Sequence, residues 1–192
     1  MSDTLILLFH PDLSHSQANA ALADAVADLP GLEIVDMYRL YPTGLIDVAA
    51  EVGRLLAARR VVLQFPVHWY APPALLQQWK DAVLTRMYYL ANETEGKHFA
   101  GTPLLVAATA GNGEESYRAS GMNLFPLAEL LRPLQAMAQR CGLPWSPPFL
   151  LYLANKLDAP ALAEAGRRYH RELVDWVGRT TTRSSAASCL AG

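Results

Sequence analysis

Cysteine is nearly missing from this chain. Two occur in 192 residues, Cys141 and Cys189, far apart in sequence. That argues against a disulfide framework and a cysteine-based zinc site, and it fits a reducing compartment. Charge is scarce too, with 18% charged residues and a net charge of −2. This balance provides no basic surface for nucleic acid or for an anionic membrane. No apolar run approaches the ~18 residues of a membrane span. The opening "MSDTLILLF" carries no basic leader and no cleavage region, so the expected location is the cytoplasm. GxGxxG and Walker patterns are also absent. Their absence disfavours a dinucleotide held by its pyrophosphate and a P-loop nucleotide. The chain shows no internal repeat and no residue set assigned to a metal.

What is present is a core-rich sequence, 52% hydrophobic, long enough for one α/β domain. Strand-sized apolar runs alternate with helical spacing. "TLILLF" (4–9) reads as a strand buried on both faces. Ala18, Ala21, Leu22, Ala25, Val26 and Leu29 form a helical stripe ended by Pro30-Gly31. "LEIVDM" (32–37) is a second strand, 45–58 a helix, and "RVVLQF" (60–65) a third strand stopped by Pro66. Pro72-Pro73 opens another helix, with its stripe at Leu75, Leu76, Trp79, Ala82 and Val83. "TPLLVAAT" (102–109) is a fourth strand, 122–140 a helix marked by Pro133, and "PPFLLYLA" holds a fifth strand. Asp158 caps a last helix whose stripe is Leu162, Ala165, Tyr169, Leu173 and Trp176. Residues 1–178 then form the domain, and "TTTRSSAASCLAG" belongs to a flexible tail over 179–192.

Five strand–helix alternations predict a three-layer α/β sandwich on a five-stranded parallel sheet with right-handed crossovers. Ligands of such sheets bind beyond the carboxyl ends of the strands. That rule selects the loops at 10–19, 66–73 and 109–117. The first, "HPDLSHSQAN", ends at a helix N-terminus, where free amides suit a phosphate; simple capping by Ser14 or Ser16 explains it equally. The second, "PVHWYAPP", is a stiff aromatic turn; Trp69 and Tyr70 could also serve a core or an interface. In the third, "TAGNGEES", Gly111 and Gly113 permit close backbone approach; an ordinary glycine turn is the alternative. Phosphate donors, aromatic walls and close backbone donors together suit a planar polar ring on a phosphate arm, namely FMN.

The stretches "HPDLSHSQAN", "FPVHWYAPPALLQQWKDAVL", "ATAGNGEESY" and "LLRPLQAMAQRCGLPWSPPFLLY" resemble the flavodoxin-like NAD(P)H:quinone oxidoreductases. The likeness is to the branch of the potassium-efflux ancillary proteins and general stress oxidoreductases, and it runs from about Leu5 to Trp176. The resemblance implies a flavodoxin-like sheet of order 2-1-3-4-5, FMN (FAD in some members), NAD(P)H as co-substrate, a homodimer, and two-electron reduction of quinones. It assigns His10, Ser16, Gln17, Ala18 and Asn19 to the flavin phosphate and ribityl arm. Pro66, Val67, His68, Trp69 and Tyr70 would line the flavin ring. Thr109, Ala110, Gly111 and Asn112 would meet its pyrimidine edge. His68, Tyr70 and Tyr117 are candidates for polarising or protonating the acceptor, and each could instead be a packing residue. The alternatives are a regulatory subunit of a glutathione-gated potassium antiporter at the inner face of the membrane, and a one-electron carrier. The low net charge counts against the carrier. One segment departs from the family: Met87, Tyr89 and Leu90 stand where a glycine-rich aromatic run is common. That departure predicts a reshaped acceptor pocket.

Overall fold

The computed structural model describes residues 3–189. Its five strands are β1 (Thr4–Leu8), β2 (Leu32–Asp36), β3 (Arg60–Pro66), β4 (Leu104–Thr109) and β5 (Phe149–Leu151). All pair in parallel, in the order β2-β1-β3-β4-β5. The order follows from burial. β1, β3 and β4 are buried at every residue and take the middle, whereas half-buried β2 takes an edge. Side chains of each central strand alternate between two cores. Leu5, Leu7, Val61, Leu63, Leu104 and Val106 face one, and Ile6, Val62, Leu105 and Ala107 face the other.

The helices are α1 (Gln17–Asp24), α2 (Met37–Leu40), α3 (Val48–Ala57), α4 (Ala74–Trp79), α5 (Lys97–Phe99), α6 (Leu127–Leu130), α7 (Arg132–Arg140) and α8 (Ala159–Cys189). α1 and α8 cover the second core with Leu22, Tyr169, Leu173 and Trp176, while α3, α4 and α7 cover the first with Leu55, Trp79 and Leu134. The Asp158 cap is present: its Oδ1 accepts from the Ala161 amide at 2.9 Å. Buried Glu51 ties α3 to its neighbours, accepting from Tyr41 OH, Trp79 Nε1 and Arg54 Nε.

Two stretches differ from expectation. The helix expected over 122–140 begins only at Leu127, after Pro126, and breaks at Leu131, two residues before Pro133. Proline restricts the residue before it and donates no amide, so a continuous helix there would lose bonds. Residues 110–126 are therefore a long irregular loop that carries only a short 3₁₀ turn at Glu114–Ser116. Beyond α4 the chain runs on in wide π-type turns, at Lys80–Leu84, Arg86–Leu90 and Asn92–Gly96. Gly96 suits this packing, because a Cβ there would sit 2.8 Å from the Met87 carbonyl oxygen. At the other end, α8 continues past 178, and Arg60 Nε donates to Thr180 Oγ1 at 2.6 Å. Positions 190–192 of the expected tail lie outside the described residues.

Candidate active site

Three backbone bonds fasten the carboxyl ends of the sheet together. The Phe9 amide donates to Gln64 C=O, Val67 to Thr109 C=O and Ala110 to Leu151 C=O, each at 2.8 Å. The residues that follow, His10, His68 and Gly111, are thereby fixed relative to one another.

The turn after β3 is strained. His68 and Ala71 exchange both backbone bonds, at 2.9 and 3.0 Å, which closes a two-residue turn around Trp69 and Tyr70. Both central residues have positive φ, 47° and 67°. Asn and Gly usually fill such positions, and a left-handed backbone costs an ordinary side chain roughly 1–2 kcal/mol. Trp69 is also 92% exposed and Tyr70 49%, so neither is repaid by burial within this chain. Strain and exposed aromatic area at one point mark a functional surface.

Beside this turn lies a cleft of about 360 Å³, lined by Pro66, Val67, His68, Trp69, Thr109, Gly111, Ala154 and Asn155. Among the described residues, the amides of Trp69, Tyr70, Gly111 and Asn112 have no backbone partner. A chain of buried polar groups leads to Thr109 in the cleft wall. Tyr169 OH donates to Gln64 Oε1, Gln64 Nε2 to Asn19 C=O, and Asn19 Nδ2 to Thr109 Oγ1. Asn19 Oδ1 is buried without a partner, as is Asn123 Nδ2. Each belongs to a residue already bonded to Thr109 or to Tyr70. Buried polar atoms are rarely left unpaired, so the pair fits a ligand offering both donors and acceptors.

At the first loop, Ser16 caps α1 by accepting from the Asn19 amide at 3.2 Å, as capping alone requires. The same geometry leaves its hydroxyl proton and the first-turn amides of Gln17 and Ala18 for an anion. His10 Nδ1 accepts from the Asp12 amide at 3.1 Å, and its ring centroid lies 6.4 Å from that of His68. Burial, and then the His68 charge, hold the His10 imidazole below its ordinary value. Burial also pushes up the Tyr117 and Tyr152 phenols, which pack 5.7 Å apart.

A family model described as "Flavodoxin-like fold" matches residues 2–173. The chain belongs to the flavodoxin-like family. It is 37% identical over 172 residues to an uncharacterised NAD(P)H oxidoreductase, YdeQ, of Bacillus subtilis, covering 90% of this chain and 86% of that one. It is 38% identical to the glutathione-regulated potassium-efflux system ancillary protein KefF of Klebsiella pneumoniae, over 90% and 95%. Among solved structures, the general stress protein 14 of Treponema denticola in complex with FMN superposes with a TM-score of 0.80 at 33% identity, over 93% and 99%.

Within this flavodoxin-like chain, the cleft gathers Pro66, Val67, His68, Trp69, Thr109 and Gly111 from the sequence-derived set, with His10 beside His68 and Asn19 beneath Thr109. Tyr117 does not line it. That phenol is buried against Ala110 and Leu127, because the irregular loop folds inward there. Tyr70 OH is turned to Asn123 Oδ1 at 3.3 Å, and Asn112 holds Leu153 through its carbonyl. Ala154 and Asn155 line it in addition, and Asn123 holds the Tyr70 hydroxyl. Ala154 and Asn155 follow β5, so the strand-end rule that chose the other loops applies to them too.

The pocket-shaping role expected for the segment around Met87 is not what this chain's fold provides. Met87 is fully buried in the first core. Tyr88 and Tyr89 border a separate depression with Met137, Arg140 and Cys141. The π-type turns beyond Trp79 carry Met87 inward, so the sequence departure acts on the core. A larger hollow of about 740 Å³, between Pro147-Pro148 and α8, holds none of the strained turns or unpaired polar atoms. Among the described residues there is no cluster able to hold a metal and no helix long and apolar enough to cross a membrane.

Proposed function

We propose that this chain is an FMN-dependent NAD(P)H oxidoreductase that reduces quinones or similar acceptors by two electrons. The observation that carries the reading is the strained, exposed Trp69–Tyr70 turn beside a cleft with unpaired amides and two orphaned buried side-chain atoms. FMN held in that cleft would supply the hydride chemistry between NAD(P)H and an acceptor.

The protein's part is placement. Ser16, Gln17 and Ala18 would hold the phosphate at the start of α1, and Asn19 Oδ1, buried without a partner, would take a ribityl hydroxyl. The amides of Trp69 and Tyr70 would hold one edge of the ring. Gly111 and Asn112 would hold the pyrimidine edge, where donors stabilise negative charge. The exposed aromatic side chains would wall the flat ring.

A two-fold dimer is part of the proposal. Trp69, Met122, Leu124 and Phe125 are all more than half exposed around the site, and an aromatic-rich apolar rim of this kind suits an interface core. A second reading is an ancillary subunit of a potassium-efflux system, working in the cytoplasm at the inner face of the membrane. The similarity to KefF favours it, and exposed Tyr89 and Leu90 offer a surface away from the cleft. The two roles are compatible.

The first reading is tested by the visible spectrum of the purified protein and by NAD(P)H oxidation with and without a quinone. A flavin spectrum and quinone-stimulated oxidation are expected. A protein that stays colourless after incubation with FMN and leaves NAD(P)H untouched would overturn it.

A further inference from the structure

We propose that His68 delivers the proton taken up by the acceptor and that His10 is its neutral positioning partner, an assignment that rests on the oxidoreductase reading above. Hydride transfer from NAD(P)H to a quinone moves two electrons and one proton. The acceptor then carries an oxyanion and needs one further proton. The balance is NAD(P)H plus quinone plus H⁺ giving NAD(P)⁺ plus hydroquinone. In the step proposed, an imidazolium N–H bond of His68 breaks as the O–H bond of the hydroquinone forms, and water reloads the ring.

Three observations converge on His68. First, among the described residues it is the only side chain lining the cleft with general-acid chemistry, since the others are Pro66, Val67, Trp69, Thr109, Ala154 and Asn155, with Gly111. Second, its backbone is held on both sides, by the two bonds to Ala71 and by the Val67 amide on Thr109 C=O, so the ring is presented from a rigid mount. Third, the phenols nearby are poorer acids, because burial pushes Tyr117 and Tyr152 up.

His10 decides which imidazole carries the charge. Its Nδ1 accepts the Asp12 amide, which places the ring proton on Nε2 and fixes a neutral tautomer. Protonation at Nδ1 would break that bond. The groups facing it are His68, Asp12 and Asp36; the Asp12 backbone and the two carboxylates favour protonation, but burial and His68 outweigh them. The Asp12 carboxylate is also engaged elsewhere, accepting from Ser14 OH and pairing with His15. The two rings meet edge to face at 73°, so His10 buttresses the His68 ring.

The test compares a quinone with ferricyanide, which accepts electrons without a proton, in FMN-loaded wild type, His68→Gln and His10→Gln. His68→Gln is expected to lower the ratio of quinone to ferricyanide turnover by about 100-fold, the low end for general acid catalysis, and to abolish its pH limb. His10→Gln lowers that ratio less and keeps the limb. In parallel, imidazole NMR titration of the flavin-free protein should show the His10 pKa rising in His68→Gln. An unchanged ratio in His68→Gln overturns the donor assignment. An unmoved His10 titration, or an equal loss with both acceptors in His10→Gln, overturns the pairing. If wild type reduces neither acceptor, the oxidoreductase reading itself fails, and that result is distinct from the others.

Discussion

Trp69 and Tyr70 are costly residues for the backbone they occupy. Asn and Gly adopt positive φ far more easily, and together they are the common filling of such a turn. Trp69→Asn with Tyr70→Gly should therefore stabilise the flavin-free protein by about 1 kcal/mol, or roughly 2–4 °C in melting temperature for a chain of this size. The same pair should weaken FMN binding, because the ring wall is gone. Thermal melts with and without FMN check both parts, and a double variant that melts lower without FMN would show that the aromatics stabilise the turn after all. Ser16 carries two loads of a different kind. Ser16→Ala loses a cap worth about 1 kcal/mol and a charge-assisted bond of roughly 1.5–3 kcal/mol to phosphate, so FMN affinity should fall about tenfold or more. A stability loss with unchanged affinity would mean that Ser16 is a cap alone.

At the scale of elements, β1, β3 and β4 were legible because continuous apolar runs have few other uses at strand length. The strand-end rule found three of the four loops that shape the cleft. What escaped was irregular: the loop through 126 with its Pro126 start, and the π-type turns that bury Met87. Helical periodicity describes neither, since each is set by what packs against it. The buried polar links were also illegible, because nothing in the sequence pairs Gln64 with Asn19 or marks Glu51 as buried. Glu51 gives a test of that kind of link. Its carboxylate is fully buried and joins Tyr41, Arg54 and Trp79. Glu51→Ala leaves the Trp79 and Tyr41 donors without it and should cost about 3–5 kcal/mol, measured by urea unfolding. A loss under about 1 kcal/mol, the ordinary range for a surface pair, would show that the network is dispensable.

For the whole molecule, stability should fall on mild acidification. The folded His10 sits below its ordinary value of 6.5. As pH drops through that value the unfolded chain binds a proton that the folded state still refuses. Stability is thus complete above about 6.5 and declines as pH falls toward the folded value. Asp12 and Glu164, both held below the usual carboxylate range, act only at lower pH. Urea unfolding at pH 7.5 and 5.5 should show a smaller acid-induced loss in His10→Gln than in wild type; identical losses would place the dependence elsewhere. The cleft and its ligand are tested most directly by reconstitution of the flavin-free protein with FMN, followed by NAD(P)H consumption with a quinone, in wild type and in the Trp69–Tyr70 double variant. Tight FMN binding and quinone-stimulated consumption are expected in wild type, with FMN binding clearly weakened in the variant. Equal FMN affinity in the two proteins, or no NAD(P)H consumption by the FMN-loaded wild type, would rule out an FMN site at this turn.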